Sequence, residues 1–353
     1  MLDINSIFDF AISKNASDIH LIAGYFPAIR VNGNLIQVRT SNLLDAQATK
    51  NLIESILTPE QKNNLMVNKE IDFGYEYKNY RLKTNIYHSR NTLAASFRLI
   101  NKDIKNIEGL NLPSTLHAFK NYHQGLVLLT GPTGQGKSTT LAAIINEINM
   151  SFSKHIITIE DPMEFVYPPG RSIITQKEVY QDSLSWSKAL RSILREDPDV
   201  ILIGEMRDLE TIQTVLTIAE TGHLVFSTLH TISSIDTINR IIDVFPSHQQ
   251  NQVRVQLATV LRAIICQRLI PTIDGQSTVP VTEILLNIPS VAANIRENKT
   301  HMIDNILETA EDQGLRIFEK NLVEMYKKGI ISKDTALNHA IRPDEFLKFL
   351  SKE

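Results

Sequence analysis

The stretch that most constrains this chain is Gly131 to Ser138, GPTGQGKS, which keeps the spacing G-x4-G-K-[ST] with no residue out of place. Its flanks matter as much as its letters. Gly125 to Thr130 (GLVLLT) reads as a short buried strand, and Thr139 to Met150 (TTLAAIINEINM) as an amphipathic helix. Strand, glycine loop and helix form the setting in which such a loop cradles a polyphosphate. The backbone N–H groups turn inward towards the anion, and larger side chains would block that approach. The candidate nucleotide-binding residues are therefore Gly131, Pro132, Thr133, Gly134, Gln135, Gly136, Lys137, Ser138 and Thr139. Lys137 is expected to neutralise the β- and γ-phosphates of ATP, and the Ser138 hydroxyl to meet a magnesium ion (Mg2+).

The 353 residues exceed one ordinary core, so two domains with extensions are expected. A net charge of -3 gives no global basic footprint, and direct nucleic-acid binding is not expected. Cys266 is the single cysteine and lies in an apolar run (AIICQRL), so it reads as a small buried hydrophobe; neither an intrachain disulfide nor a cysteine-based zinc site can form. No apolar run approaches the roughly 18 residues that span a bilayer. The first residues, MLDINSIFDF, carry acids where a signal peptide needs bases, and the expected location is cytoplasmic.

Along the chain, residues 3 to 14 place Ile4, Ile7, Phe8 and Ile12 on one helical face. SDIHLIAG and PAIRVNGNLIQV alternate around Asn32-Gly33, a hairpin turn by its letters. Helices are expected over Ala46 to Leu57 and Pro59 to Val67, then strands in EIDFGYEY, YRLKTNIYHSR and LAASFRLI. Residues 1–100 thus read as a small mixed α/β domain with an antiparallel sheet. Its Arg81, Arg90 and Arg98 are, taken alone, ordinary solvated charges. Periodicity fails over 101–113, the expected interdomain linker. Beyond it, strands HIITIE, VILIG and HLVFSTLH alternate with helices LSWSKALRSILRE and LETIQTVLTIAETG, which implies a largely parallel sheet wrapped by helices over 114–287. Ligands then belong at the carboxyl ends of the strands. Residues 288–353 read as a helical C-terminal extension, an appendage to that core.

Hydrolysis of a nucleoside triphosphate needs a metal, a positioned water and positive charge on the phosphates. Glu205 follows directly on the buried strand of ILIGEMRD and is the candidate magnesium carboxylate, directly or through water. For the water there are three carboxylates in IEDPMEF: Glu160, Asp161 and Glu164, among which spacing does not choose. His223 and His230 bracket HLVFSTLH, and at least one is a candidate γ-phosphate sensor.

GPTGQGKSTT, IITIEDPMEFVY, LREDPDVILIGEMRDLETI and AETGHLVFSTLHT together resemble the secretion ATPase superfamily that powers type IV pili and type II secretion, in that family's order. SDIHL and PAIRVNG look like the start of its N-terminal domain, so the resemblance covers nearly the whole chain. It implies a PAS-like N-terminal domain, a RecA-like P-loop ATPase core, and a homohexamer in which the N-terminal domain of one subunit lies beside the nucleotide of another. Residue by residue, it implies that Lys137 and Ser138 are the Walker A pair, Glu205 the Walker B glutamate, Glu164 the catalytic base, and His223 and His230 the His-box residues. Arg81, Arg90 and Arg98 sit where the family keeps arginines that reach towards phosphates, a task suited to a permanent, bidentate cation.

Assembly and type II secretion members generally carry a further N-terminal domain and a four-cysteine zinc insertion. This chain begins at SDIHL and owns one cysteine, so the pattern is similar to the retraction branch, and zinc is not expected. That branch's C-terminal signature survives in part as Val291 to Glu297, VAANIRE, which keeps Ile295, Arg296 and Glu297. The expected partner is a pilus platform protein of the inner membrane, with peripheral membrane association through it. A paralogue serving assembly, secretion or DNA uptake is the alternative within the family. A RecA-like nucleic-acid translocase is the alternative outside it, and would need the strongly salt-dependent strand affinity that a slightly acidic chain does not favour.

Overall fold

The computed structural model describes residues 3–31, 34–39, 42–78, 80–100 and 104–352. Contacts divide the chain into two units: Met1–Asp103 with Pro162–Val166, and Ile104–Asp161 with Tyr167–Glu353.

The first unit runs α1 (Ile4–Ser13), β1 (Asp18–Ile22), β2 (Ala28–Val31), β3 (Asn34–Gln37), α2 (Ala46–Glu54), α3 (Pro59–Asn68), β4 (Glu70–Tyr77), β5 (Tyr80–Ser89) and β6 (Thr92–Ile100). Asp3, Asp45 and Thr58 accept from backbone N–H groups three residues on and so start the three helices, each cap contributing about 1 kcal/mol. The strands form one antiparallel sheet in the order β3-β2-β1-β6-β5-β4. Successive strand residues face opposite ways. One face therefore buries Ile19, Leu21, Ile86 and Phe97 against Ile7 and Phe8 of α1 and Leu52 and Ile53 of α2. The other carries a polar row: Asp18 lies opposite Arg30 on one neighbour and Arg98 on the other, and Arg98 lies opposite Lys83. The expected Asn32-Gly33 turn lies outside the described residues.

The second unit continues with β7 (Gly125–Thr130), α4 (Lys137–Ser151), β8 (His155–Glu160), β9 (Ile173–Glu178), α5 (Trp186–Ile193), β10 (Val200–Ile203), α6 (Leu209–Glu220), β11 (Leu224–Leu229), α7 (Ser234–Asp243), α8 (Ser247–Val260), β12 (Leu261–Pro271) and β13 (Thr278–Leu286). Then come α9 (Pro289–Arg296), α10 (Ile303–Thr309), α11 (Phe318–Lys327), α12 (Lys333–His339) and α13 (Pro343–Lys352). Its sheet order is β13-β12-β7-β11-β10-β8-β9, parallel throughout except for the β12–β13 hairpin at one edge. The central strands are buried on both faces: Leu126 and Leu128 point into one core and Val127 and Leu129 into the other. Helices on both faces follow from that pattern.

Two boundaries differ from the sequence reading. Ile104 onward belongs to the second unit, where Ile107 and Leu112 are buried in the core shared by β7 and α4, so residues 104–113 are not a linker. Residues 288–353 are part of the core and not an appendage, because Val291, Phe318, Leu322, Phe346 and Phe349 pack in the same cluster as β7, β10 and β11. Truncating a buried phenylalanine costs about 3–5 kcal/mol, so such a segment is integral to its unit.

Candidate nucleotide-binding site

The glycine loop leaves the carboxyl end of β7, and its backbone explains its letters. Gly131 has φ +142°, and a Cβ there would lie 2.3 Å from the Gln267 carbonyl oxygen, so no larger residue fits. Gly136 adopts the left-handed conformation and precedes α4 without a side-chain cap, so the N–H groups of the first turn of α4 point into the loop. Lys137 is buried, and its ammonium donates to the Gly131 and Pro132 carbonyls at 2.6 and 3.0 Å, which centres the charge inside the loop. Cys266, beneath the loop, accepts from Thr130 Oγ1 at 3.1 Å; burial pushes its thiol far above the ordinary range, which leaves it an inert buried group.

Parallel register brings further groups to the same edge. Leu229 pairs with Thr130, so β7 and β11 end level, while β10 ends at Ile203 opposite Ser227, two residues short, which brings Glu205 into line with Leu229. With strands about 4.8 Å apart, Glu205 emerges roughly 10 Å along the sheet from the loop. Its exit is latched to β11: Thr228 Oγ1 donates to the Gly204 carbonyl at 2.6 Å, and Met206 N donates to the Thr228 carbonyl at 3.0 Å. His230 Nε2 lies 3.3 Å from Glu205 Oε2, and a carboxylate partner requires that nitrogen to carry the proton. Arg207 takes the other carboxylate oxygen. Burial pushes the Glu205 carboxyl up, but the hydrogen bond and charge of Arg207, then those of His230, outweigh it and hold the group below its ordinary range. An ionised oxygen donor and the Ser138 hydroxyl suit a hard cation that keeps waters and phosphate oxygens as its other ligands. Among the described residues no group of three or more His, Cys, Asp or Glu would hold a metal without such help.

Not every candidate joins this edge. His223 precedes β11 at its amino end, about 23 Å of strand from His230, where its Nδ1 lies 3.0 Å from Thr221 Oγ1. Glu160 is buried at the carboxyl end of β8, in the same unit as the loop. Glu164 belongs to Pro162–Val166, which groups with the first unit. There the buried Arg81 donates through Nε to the Met163 carbonyl at 3.2 Å and approaches Glu76 at 3.5 Å. Arg90 is exposed at the β5–β6 turn with φ 52°. Arg98 is exposed, and its Nε donates to Asp18 Oδ1 at 3.0 Å. Burial raises the Asp18 carboxyl, but the Ser17 hydroxyl and then Arg98 outweigh it, and the group stays ionised below its ordinary range. Arg207 was not among the sequence candidates. A cation two residues after the candidate metal carboxylate was its signal in the sequence.

The family model for type II/IV secretion system proteins matches residues 2–342. The twitching motility protein of Neisseria gonorrhoeae is 43% identical over 320 residues, 90% of this chain and 85% of that one. The type IV pilus retraction ATPase PilT of Pseudomonas aeruginosa is 41% identical over 348 residues, 98% of this chain and 100% of that one. A crystal structure of the pilus retraction motor PilT with bound ADP superposes with a TM-score of 0.93 at 41% identity, covering 99% of this chain and 100% of that one. The mixed α/β fold expected from the sequence agrees with that likeness, and the chain belongs to the type II/IV secretion system protein family.

Proposed function

We propose that this chain is one subunit of a homohexameric motor that hydrolyses ATP to retract a type IV pilus, the movement behind twitching motility. The observation that carries the proposal is the phosphate loop with Lys137 at its centre, level with a Glu205–His230 pair, in a chain that aligns almost end to end with a pilus retraction ATPase. The loop N–H groups and Lys137 bind the phosphates. Ser138 and Glu205 would hold magnesium, which supplies charge neutralisation at the β- and γ-phosphates. His230, hydrogen-bonded to Glu205, senses the γ-phosphate, and Glu164 orients and deprotonates the attacking water. His223 belongs to the same His box by resemblance, at the far end of its strand.

Arg98 and Arg90, both exposed, are suited to reach the phosphates of a neighbouring subunit in the ring. Asp18 orients Arg98 through Nε and leaves the guanidinium fork presented. Arg81, bound to Met163, orients the segment that carries Glu164. The motor works in the cytoplasm, held at the pilus base by a platform protein of the inner membrane. The test is ATP turnover by the purified chain with magnesium, beside Lys137→Ala: loss of at least about 100-fold in the variant supports the assignment, and unaltered hydrolysis removes the loop from the mechanism.

A further inference from the structure

Gln267 follows the apolar run Ala263 to Cys266 in β12 and is only 2% exposed, so its amide must find partners inside the protein. All of them belong to the phosphate loop or its helix. Nε2 donates to the Gln135 carbonyl at 2.7 Å, which fixes the orientation of the amide because a carbonyl can only accept. Oε1 accepts from the Thr140 hydroxyl in the first turn of α4 at 2.8 Å. Gln135 returns the contact, its side-chain oxygen accepting from Leu269 N at 2.7 Å. The Gln267 carbonyl also occupies the space that a side chain on Gly131 would need. One strand thus grips the loop at its first residue, at its crest and at the helix that follows.

β12 itself is held from the opposite face. Arg268 points away from the loop, donates through Nη1 to the His339 carbonyl at 3.1 Å and lies over the Phe318 ring at 5.4 Å. The strand is therefore anchored on its other face by contacts that do not involve the loop.

We propose that Gln267, with Gln135, is a positioning residue for nucleotide binding: the pair holds the loop N–H groups in their anion-facing arrangement before the phosphates arrive. The inference rests on the reading of this loop as an ATP site. A loop that is already ordered spends none of its binding free energy on ordering, so the pair acts on affinity without touching the reacting atoms.

The test uses the full-length purified chain with ADP and magnesium as probes, titrated calorimetrically, beside the melting temperature of the nucleotide-free protein. Gln267→Met keeps volume and removes both hydrogen bonds; it is expected to weaken ADP about tenfold. KM for ATP should rise similarly while kcat stays within about threefold, the pattern of lost uniform binding. Adding Gln135→Ala to Gln267→Met should cost less than Gln135→Ala alone, because both residues hold one loop. An ADP affinity within about twofold of the parent, with a lowered melting temperature, would overturn the proposal and make Gln267 a strand-stabilising residue only. Should Gln267→Met fail to fold, Thr140→Val, which keeps the bond to Gln135, is expected to weaken ADP several-fold, and an unchanged affinity there overturns the proposal equally. A parent chain that binds no ADP defeats the ATP-site reading itself, which is distinguishable from a parent that binds and a variant that binds equally well.

Discussion

Glu205 and His230 face one another at 3.3 Å across the carboxyl ends of two adjacent parallel strands, β10 and β11. The pairing follows from register: β10 ends at Ile203 opposite Ser227, two residues before the end of β11, so Glu205, the first side chain beyond Gly204, meets His230. The carboxylate proposed to face magnesium is thereby joined to the imidazole proposed to sense the γ-phosphate.

Breaking that pair in two ways separates its roles. Glu205→Gln is expected to lower kcat by about 100-fold or more and to raise the magnesium concentration required for turnover, because the ionised donor is lost. His230→Ala should lower kcat with a smaller change in magnesium requirement. Equal magnesium requirements in parent and Glu205→Gln, measured in titrations at saturating ATP, would remove Glu205 from the metal site.

Water activation is assigned to Glu164, although Glu160 is the carboxylate at the end of β8 in the same unit as the loop. Glu164→Gln should retain ADP and ATP binding while losing about 100-fold or more in hydrolysis. Glu160→Gln is the control, and if it alone shows that behaviour, the base is Glu160.

Arg98 is oriented by Asp18 and exposed, as a group acting on a neighbour's nucleotide should be. Arg98→Ala should reduce hydrolysis at least about tenfold, and mixed rings of Arg98→Ala with Lys137→Ala subunits should regain part of it, since some sites then receive both intact halves. Verified mixed rings with no recovery would place the arginine elsewhere.

Deep in the second unit, Glu283 accepts from Ser234 N at 2.8 Å and shares Arg342 with Glu319. Burial raises its carboxyl above the ordinary value near 4.5, an effect that Ser234 and Arg342 reduce without cancelling. The folded protein therefore holds this proton more tightly than the unfolded chain, and stability from this group declines as pH rises above about 4.5 towards the folded value. Glu283→Gln keeps the acceptor for Ser234 and has no proton to lose. Its melting temperature relative to the parent should rise as pH increases above about 4.5, each kcal/mol being worth roughly 2–4 °C in a unit of this size. A pH-independent difference would show that Glu283 ionises normally.

Much of this was legible in the letters because β7, β10 and β11 are short apolar runs bounded by motif residues, and burial on both faces needs nothing else. The rest was hidden for identifiable reasons. β9 (IITQKE) pairs on one side only and carries edge-strand polarity, and α8 buries few of its fourteen residues. Ile107 and Leu112 look isolated in an aperiodic stretch and acquire meaning only from the core they meet. His223 and His230 are equivalent by spacing, and strand direction separates them. Gln267 stood beside Cys266 in a run read as apolar, where a lone amide was the signal.

Labelled pili followed over time on host cells that lack this chain distinguish a retraction motor from an assembly motor. Long pili that extend and never shorten are expected, with shortening restored by the parent chain and not by Lys137→Ala. Bald cells would contradict this and make the chain an assembly motor.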